Sequence, residues 1–314
     1  MAAKEFADHV LSARLLILLA LLGLVAVGSV YSAATALRAA ADQVTANQVP
    51  ALFLKLFTIQ SPSSPIFAFY AFIAFLGPLL GIAFGFDAIN GERADRTLPR
   101  LLAQPIHRDD VINGKFVAGL SAIALVLGAI TLIVAGVGLF ELGVVPDADQ
   151  VARLILWFVA TIIYVGFWLA FAMLCSVVLR RAATSALASI GLWLVLTLFA
   201  SLLVGVVAGA IAPLSANPTL TDQVANAELQ QELSRISPGT LYGEVTAYLL
   251  DPGTQSVDIG ALVQAQQTSG ALPSILPFDQ SLILAWPQGV ALIALTVVCF
   301  GAAYVGFMRQ EVRA

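Results

Sequence analysis

Long apolar intervals alternate with short polar ones along this chain. Six intervals carry no Asp, Glu, Lys or Arg: 15–37, 56–86, 116–140, 154–179, 182–221 and 280–308. Each is long enough for the helix of about 20 residues that crosses a bilayer's hydrocarbon layer. Pro213 and Pro218 end the fifth near Ile211. The pattern therefore predicts spans at 15–37, 66–86, 116–140, 154–179, 183–211 and 284–308. The pair Arg180-Arg181 is a tight turn between the fourth and fifth. The first apolar run is too long for the h-region of a cleaved signal, which holds about 7–15 residues, and is read as a retained span.

The polar intervals have their own patterns. In residues 1–14, Phe6, Val10 and Leu11 recur at helical spacing, with Lys4, Glu5, Asp8 and Arg14 elsewhere around the wheel. This predicts a short amphipathic helix lying on a membrane face. In the segment 88–114, Leu98, Leu101 and Leu102 share one helical face. Thr97 caps that helix, Pro99 falls in its first turn, and Pro105 ends it. Asp109 and Asp110 then open the third span, where negative charge suits a helix N-terminus. Leucines rimmed by charge suit either a groove on a partner protein or the lipid surface. The segment 212–279 predicts a polar helix over 220–236 and a more apolar one over 238–250, forming a lid or a hairpin dipping into the membrane.

Composition agrees with the pattern. The chain is 60% hydrophobic and 11% charged, against about 25% charged residues in soluble domains. The expected class is all-α: a polytopic membrane protein of six transmembrane helices, with an N-terminal amphipathic helix, a cytoplasmic helix between spans two and three, and a partly helical outer segment between spans five and six. Charge sets the orientation. With the N-terminus inside, eleven Lys and Arg fall on the cytoplasmic side and four outside. This asymmetry places both termini in the cytosol. Residues 212–279 carry seven acids against Arg235, most simply a solvated surface. No basic run points to nucleic acid.

Two rows of small residues stand out, each spaced by four: Gly77, Gly81 and Gly85 in span two, and Ser201, Gly205 and Gly209 in span five. Such faces allow close helix contact in lipid, either as fixed packing or as a contact that slides against a second copy. The aromatic residues opening span two, from Phe67 to Phe75, suit either interfacial anchoring or a pathway lining. Cys175 and Cys299 lie in apolar runs without metal-ligand spacing. The pair Gly114-Lys115 is followed by Phe116, and Asp109 stands where a phosphate-binding loop has its first glycine. No catalytic, cofactor or metal site is expected in this chain.

The motif residues also carry a resemblance. Gly91-Glu92, Thr97-Leu98, Leu101-Leu102, Pro105, Arg108 and Gly114-Lys115 resemble the signature of ABC-2 type permeases. Lys4-Glu5-Phe6 and the segment SPGTLYGEVTAYLLDP resemble the branch of nitrous-oxide-reductase accessory permeases. The resemblance implies that 88–114 is a coupling helix docked on a separate ATP-binding subunit, with Glu92, Arg93, Arg96, Thr97, Leu98, Leu101, Leu102, Pro105, Arg108 and Lys115 at the contact. It implies two copies of that subunit, which would hold ATP and magnesium, and a second permease, most simply an identical one. It also implies residence in a prokaryotic cytoplasmic membrane and a role in export. A different class of function, a non-transporting scaffold or assembly factor anchoring a cytosolic ATPase complex, uses the same loop. A proton-coupled carrier is disfavoured, because carriers place ionisable groups in mid-span.

Overall fold

The structure is a computed structural model that describes residues 2–41, 51–59, 67–94, 107–143, 145–213, 219–253 and 276–310. The regular structure of these residues is helical, and six helices are long and apolar enough to cross a membrane. The chain is a multi-pass membrane protein. Helix α1 covers Ala2–Val10 and α2 Ala13–Ala41. The short α3 (Leu52–Thr58) precedes α4 (Phe69–Gly85) and the single turn α5 (Asn90–Ala94). Helix α6 spans Arg108–Leu142 and α7 Ala148–Val178. Helix α8 spans Ala182–Ile211, with a π-helical turn at Val195–Phe199. Two shorter helices follow, α9 (Leu220–Ser234) and α10 (Pro238–Leu250), and α11 (Phe278–Met308) closes the bundle.

Local chemistry explains several of these ends. Helix α6 starts well before its apolar stretch, because Asp110 accepts from the His107 backbone N–H at 3.3 Å. That bond satisfies an orphan donor at the helix start. The α6 helix ends at Gly143, whose φ of 64° is the left-handed conformation a glycine cap supplies. The carboxylate of Asp147 caps α7 by accepting from the Gln150 N–H at 2.8 Å. Thr219 and Asp222 cap α9 reciprocally, the Thr219 N–H donating at 3.0 Å and the Asp222 N–H at 3.2 Å. The Thr219 hydroxyl, donating to the Asp222 carboxylate at 2.7 Å, and then the Thr219 N–H hold that exposed carboxyl below its usual pKa.

Helix α7 is the hub, packed on α4, α6, α8, α10 and α11. Its approach to α4 is closest where α4 has glycine. A Cβ on Gly81 would stand 2.6 Å from the Val165 carbonyl oxygen, and one on Gly85 2.7 Å from that of Leu169. No side chain fits there, so the two backbones lie nearly in contact. This glycine face is therefore filled by α7 of the same chain. The row on α8 is different. Ser201 is exposed, and Cβ atoms at Gly205 and Gly209 would meet nothing within 4 Å. Helix α8 is the least buried of the six long helices.

Helices α9 and α10 form a hairpin that dives beside α8. Near the end of α8, the Asn226 amide donates to the Ala212 carbonyl at 2.6 Å. At the hairpin's turn, the Ser237 hydroxyl donates to the Leu196 carbonyl at 3.2 Å. Leu196 lies about 21 Å along the helix from either end of α8, at 1.5 Å per residue. The turn therefore sits at mid-depth of the bundle. Helix α10 then climbs back, and Asp251 at its end pairs with Lys55 of α3 at 2.8 Å. Beside it the buried Arg153 of α7 binds Asp149 at 2.7 Å, the Ser281 hydroxyl at 2.8 Å and the Leu276 carbonyl at 2.8 Å. This fastens the starts of α7 and α11 together.

The hairpin corrects one expectation. The acids of 212–279 are not all solvated: Glu244 is buried, and it accepts from Arg235 at 3.0 Å and from Gln288 at 2.8 Å. The spans themselves lack charge in mid-course, but the hairpin carries an ion pair to that depth.

Candidate coupling site

At the end of the bundle opposite the hairpin's entry, three separated pieces of sequence meet on one ammonium. Lys115 of α6 is buried, with its Nζ 2.6 Å from Glu92 Oε1 of α5 and 3.1 Å from Glu5 Oε1 of α1. A lysine with so little exposure requires such partners, because an unpaired buried charge costs several kcal/mol. Glu5 therefore faces inward rather than joining the polar side of an amphipathic helix. Phe6 packs on the core, while Leu11, just past the helix, is 81% exposed. His9 stands edge-on to Phe84 with ring centroids 4.9 Å apart. Burial lowers its pKa below the ordinary 6.5, aided by Lys115 and opposed by Glu5, Asp87 and Asp8.

A second network ties α5 to the far end of the hub. The Ser176 hydroxyl accepts from the backbone N–H groups of Ile89 and Asn90 at 3.0 and 3.1 Å. Arg93 donates to the Val177 carbonyl at 3.4 Å, a hydrogen bond to a helix end. Gln310 donates to the same carbonyl at 2.7 Å, and Arg108 donates to the Gln310 carbonyl at 3.1 Å. The last carbonyls of a helix have no partners within it, and here side chains from α5 and the end of α11 take one of them. The α5 segment is thus bonded to α6 and α7, and it shares the Val177 carbonyl with the residue just past α11.

Of the expected docking residues, Glu92, Arg93, Arg108 and Lys115 belong to these two networks. Arg96, Thr97, Leu98, Leu101, Leu102 and Pro105 lie outside the described residues. Sequence reasoning missed Asn90 and Ser176, whose bonds join positions 86 residues apart. It also missed the pairing of Glu5, though Lys4-Glu5-Phe6 was among the residues carrying the resemblance.

Comparison with known proteins points the same way. The chain is 33% identical over 149 residues to a protein of Pseudomonas aeruginosa named "Probable ABC transporter permease protein NosY", covering 47% of this chain and 46% of that one. It is 28% identical over 205 residues to the protein of the same name from Stutzerimonas stutzeri, covering 63% and 65%. The matched stretches thus span between about half and two thirds of those relatives. A family model described as "ABC-2 family transporter protein" matches residues 1–312. The chain belongs to the ABC-2 family of transporter proteins.

Proposed function

We propose that this chain is the permease subunit of an ATP-binding-cassette transporter, driven by an ATPase on a separate polypeptide. The observation that carries this is the ammonium of Lys115 held by Glu92 and Glu5. It braces both roots of the segment 95–106 against the N-terminal helix, so force applied to that segment reaches the bundle without slack. Leu98, Leu101 and Leu102 fill a groove on the ATPase, with Arg96, Thr97 and Pro105 shaping the helix that presents them. Two ATPase subunits, each holding ATP and magnesium, drive two permeases, most simply identical. Both termini are cytosolic, the membrane is the cytoplasmic membrane of a prokaryote, and transport runs outward. The Lys and Arg asymmetry supports the orientation, and the ABC-2 family supports the remainder.

Leu101→Asp tests the docking. It removes an apolar contact worth about 1.5–3 kcal/mol and buries a charge in the groove. The permease is expected to insert and melt normally, while the ATPase no longer co-purifies in mild detergent. Unchanged co-purification would overturn the docking role. ATP turnover by the wild-type complex that ignores the permease would point to a scaffold instead.

A further inference from the structure

Helix α8 and the hairpin line two adjoining open cavities that the coupling site does not use. One, of about 300 Å³, is apolar and lined chiefly by Leu196, Ala200, Leu203, Val207, Leu233 and Ile236. That is about twice the roughly 150 Å³ apolar cavity that accepts benzene, which is room for an aliphatic chain. The other, of about 400 Å³, is lined by Ser201, Gln230, Gln231, Thr240 and Glu244 among others. Val204 and Ser234 line both. An apolar slot and a chamber lined largely by polar residues therefore lie side by side, against α8 from Leu196 to Val207.

Charge and hydrogen bonding give the chamber a sign. Arg235 is the only Lys or Arg between positions 182 and 308, while the hairpin carries Asp222, Glu228, Glu232 and Glu244. The carboxylate of Glu244 holds Arg235, Gln231 and Gln288. Gln288 is only 7% exposed, and its Oε1 receives no donor among the described residues. The amide cannot be turned to satisfy it, since its oxygen would then face the Glu244 carboxylate. Gln288 lines neither cavity, so the sign of the chamber comes from the Glu244 carboxylate in its wall and the hairpin's excess of acids over Arg235. Ionisable groups at membrane depth mark ligand sites more often than architecture.

We propose that the double cavity binds an amphiphile bearing a primary ammonium on an aliphatic chain, with the chain in the slot against Leu203 and Val207 and the ammonium in the chamber beside Glu244 and Gln231. An anionic head would meet the acids of the hairpin. A bare metal ion would find one carboxylate, already engaged, where hard cations take six or more oxygens or keep their own water. Water alone would fill the chamber and leave the apolar slot unexplained. The proposal does not depend on an ATPase driving the chain. The ammonium can belong to a free amine or to the ethanolamine head of a bilayer lipid.

A dodecylammonium probe with a chain-end diazirine, applied to the protein in phosphatidylcholine nanodiscs, tests this by mass spectrometry of the labelled peptides. Label is expected to concentrate on 196–207 and 233–237, displaced by dodecylammonium and not by dodecyl sulfate. Leu203→Trp fills the slot and Ser201→Lys places a competing cation at the chamber wall. Both alter exposed positions, and each should cut that label by about fivefold or more, a loss of roughly 1 kcal/mol in binding. Label on α2 should stay constant as a control for folding. Suppression in phosphatidylethanolamine nanodiscs assigns the site to bilayer lipid, and persistence there assigns it to a free amine. Uniform labelling of all spans, equal displacement by the sulfate, or unchanged labelling in both variants would overturn the proposal.

Discussion

Two ion clusters in this molecule have the same composition and opposite reach. Lys115 sits between Glu5 and Glu92, and Arg235 sits between Glu232 and Glu244. Each is one cation with two carboxylates. The lysine joins residues from three elements spread over 110 positions of sequence. The arginine joins residues within one hairpin, nine positions from Glu244. A long-range cluster braces elements against one another; a local one stiffens a single motif, which here is tied to α11 by the separate bond from Gln288 to Glu244. Lys115→Met should therefore be the most damaging change. It leaves Glu5 and Glu92 facing each other with little exposure, at a cost of about 3–5 kcal/mol. Thermal unfolding in detergent should fall steeply, and Glu92→Gln, which keeps the bond to Glu5, should cost less.

Arg235→Gln sharpens the contrast. It removes charge-assisted bonds worth about 1.5–3 kcal/mol each, partly replaced by the glutamine amide, and the loss should show first within the hairpin. Hydrogen exchange should speed up in 220–250 while the global melting transition barely moves. A large drop in the global transition would mean that the hairpin is a brace after all.

The glycine faces divide along the same line. Gly81→Ala forces a methyl group against the Val165 carbonyl, and the overpacking should cost about 1–3 kcal/mol. Gly205→Ala meets open space, so it should be neutral or stabilise the helix by up to about 1 kcal/mol, the propensity difference between the two residues. Equal destabilisation by the two would show that α8 has a packed partner on that face.

The two faces also show what the sequence could tell. Both rows have the same spacing, so sequence alone treats them alike; which is filled depends on α7 meeting α4, a tertiary fact. The six apolar helices were legible because an uncharged run of that length has one stable form in a bilayer. Lys115 and Glu92 stood out through the motif they share with ABC-2 permeases. Their partner Glu5 was legible as part of a motif but not as an inward-facing group, since a wheel assigns every charge to the polar side. Asn90 and Ser176 lack any local pattern, because each answers a backbone group or hydroxyl supplied from far along the chain; Arg153 has a local partner in Asp149, but its bonds to Ser281 and Leu276 carry no local signal. The dive of the hairpin was legible as one of two alternatives, a lid or a hairpin dipping into the membrane, but the burial of Glu244 was not: an acidic, glutamine-bearing segment reads as solvated until Gln288 and Arg235 are seen around it.

The smallest expected effect is that of pH on the Lys115 end. Burial against Phe84 holds His9 below its ordinary pKa of 6.5, so between the folded and ordinary values the unfolded chain takes up the proton more readily. Stability then rises with pH. The contribution is complete above about pH 7, is lost as pH falls through the ordinary value, and levels off below the folded one, at no more than about 1.4 kcal/mol for each pH unit separating the two. The difference in melting temperature between wild type and His9→Phe should be constant around neutral pH, and the wild type should lose ground to the variant on acidification. Taking the difference cancels the titration of acids far from His9. The three carboxylates around it, Glu5, Asp8 and Asp87, pull the other way and would hold the imidazolium if they prevailed. In that case the wild type would gain on the variant in acid, and α1 would be fastened more tightly at low pH by the residue expected to loosen it.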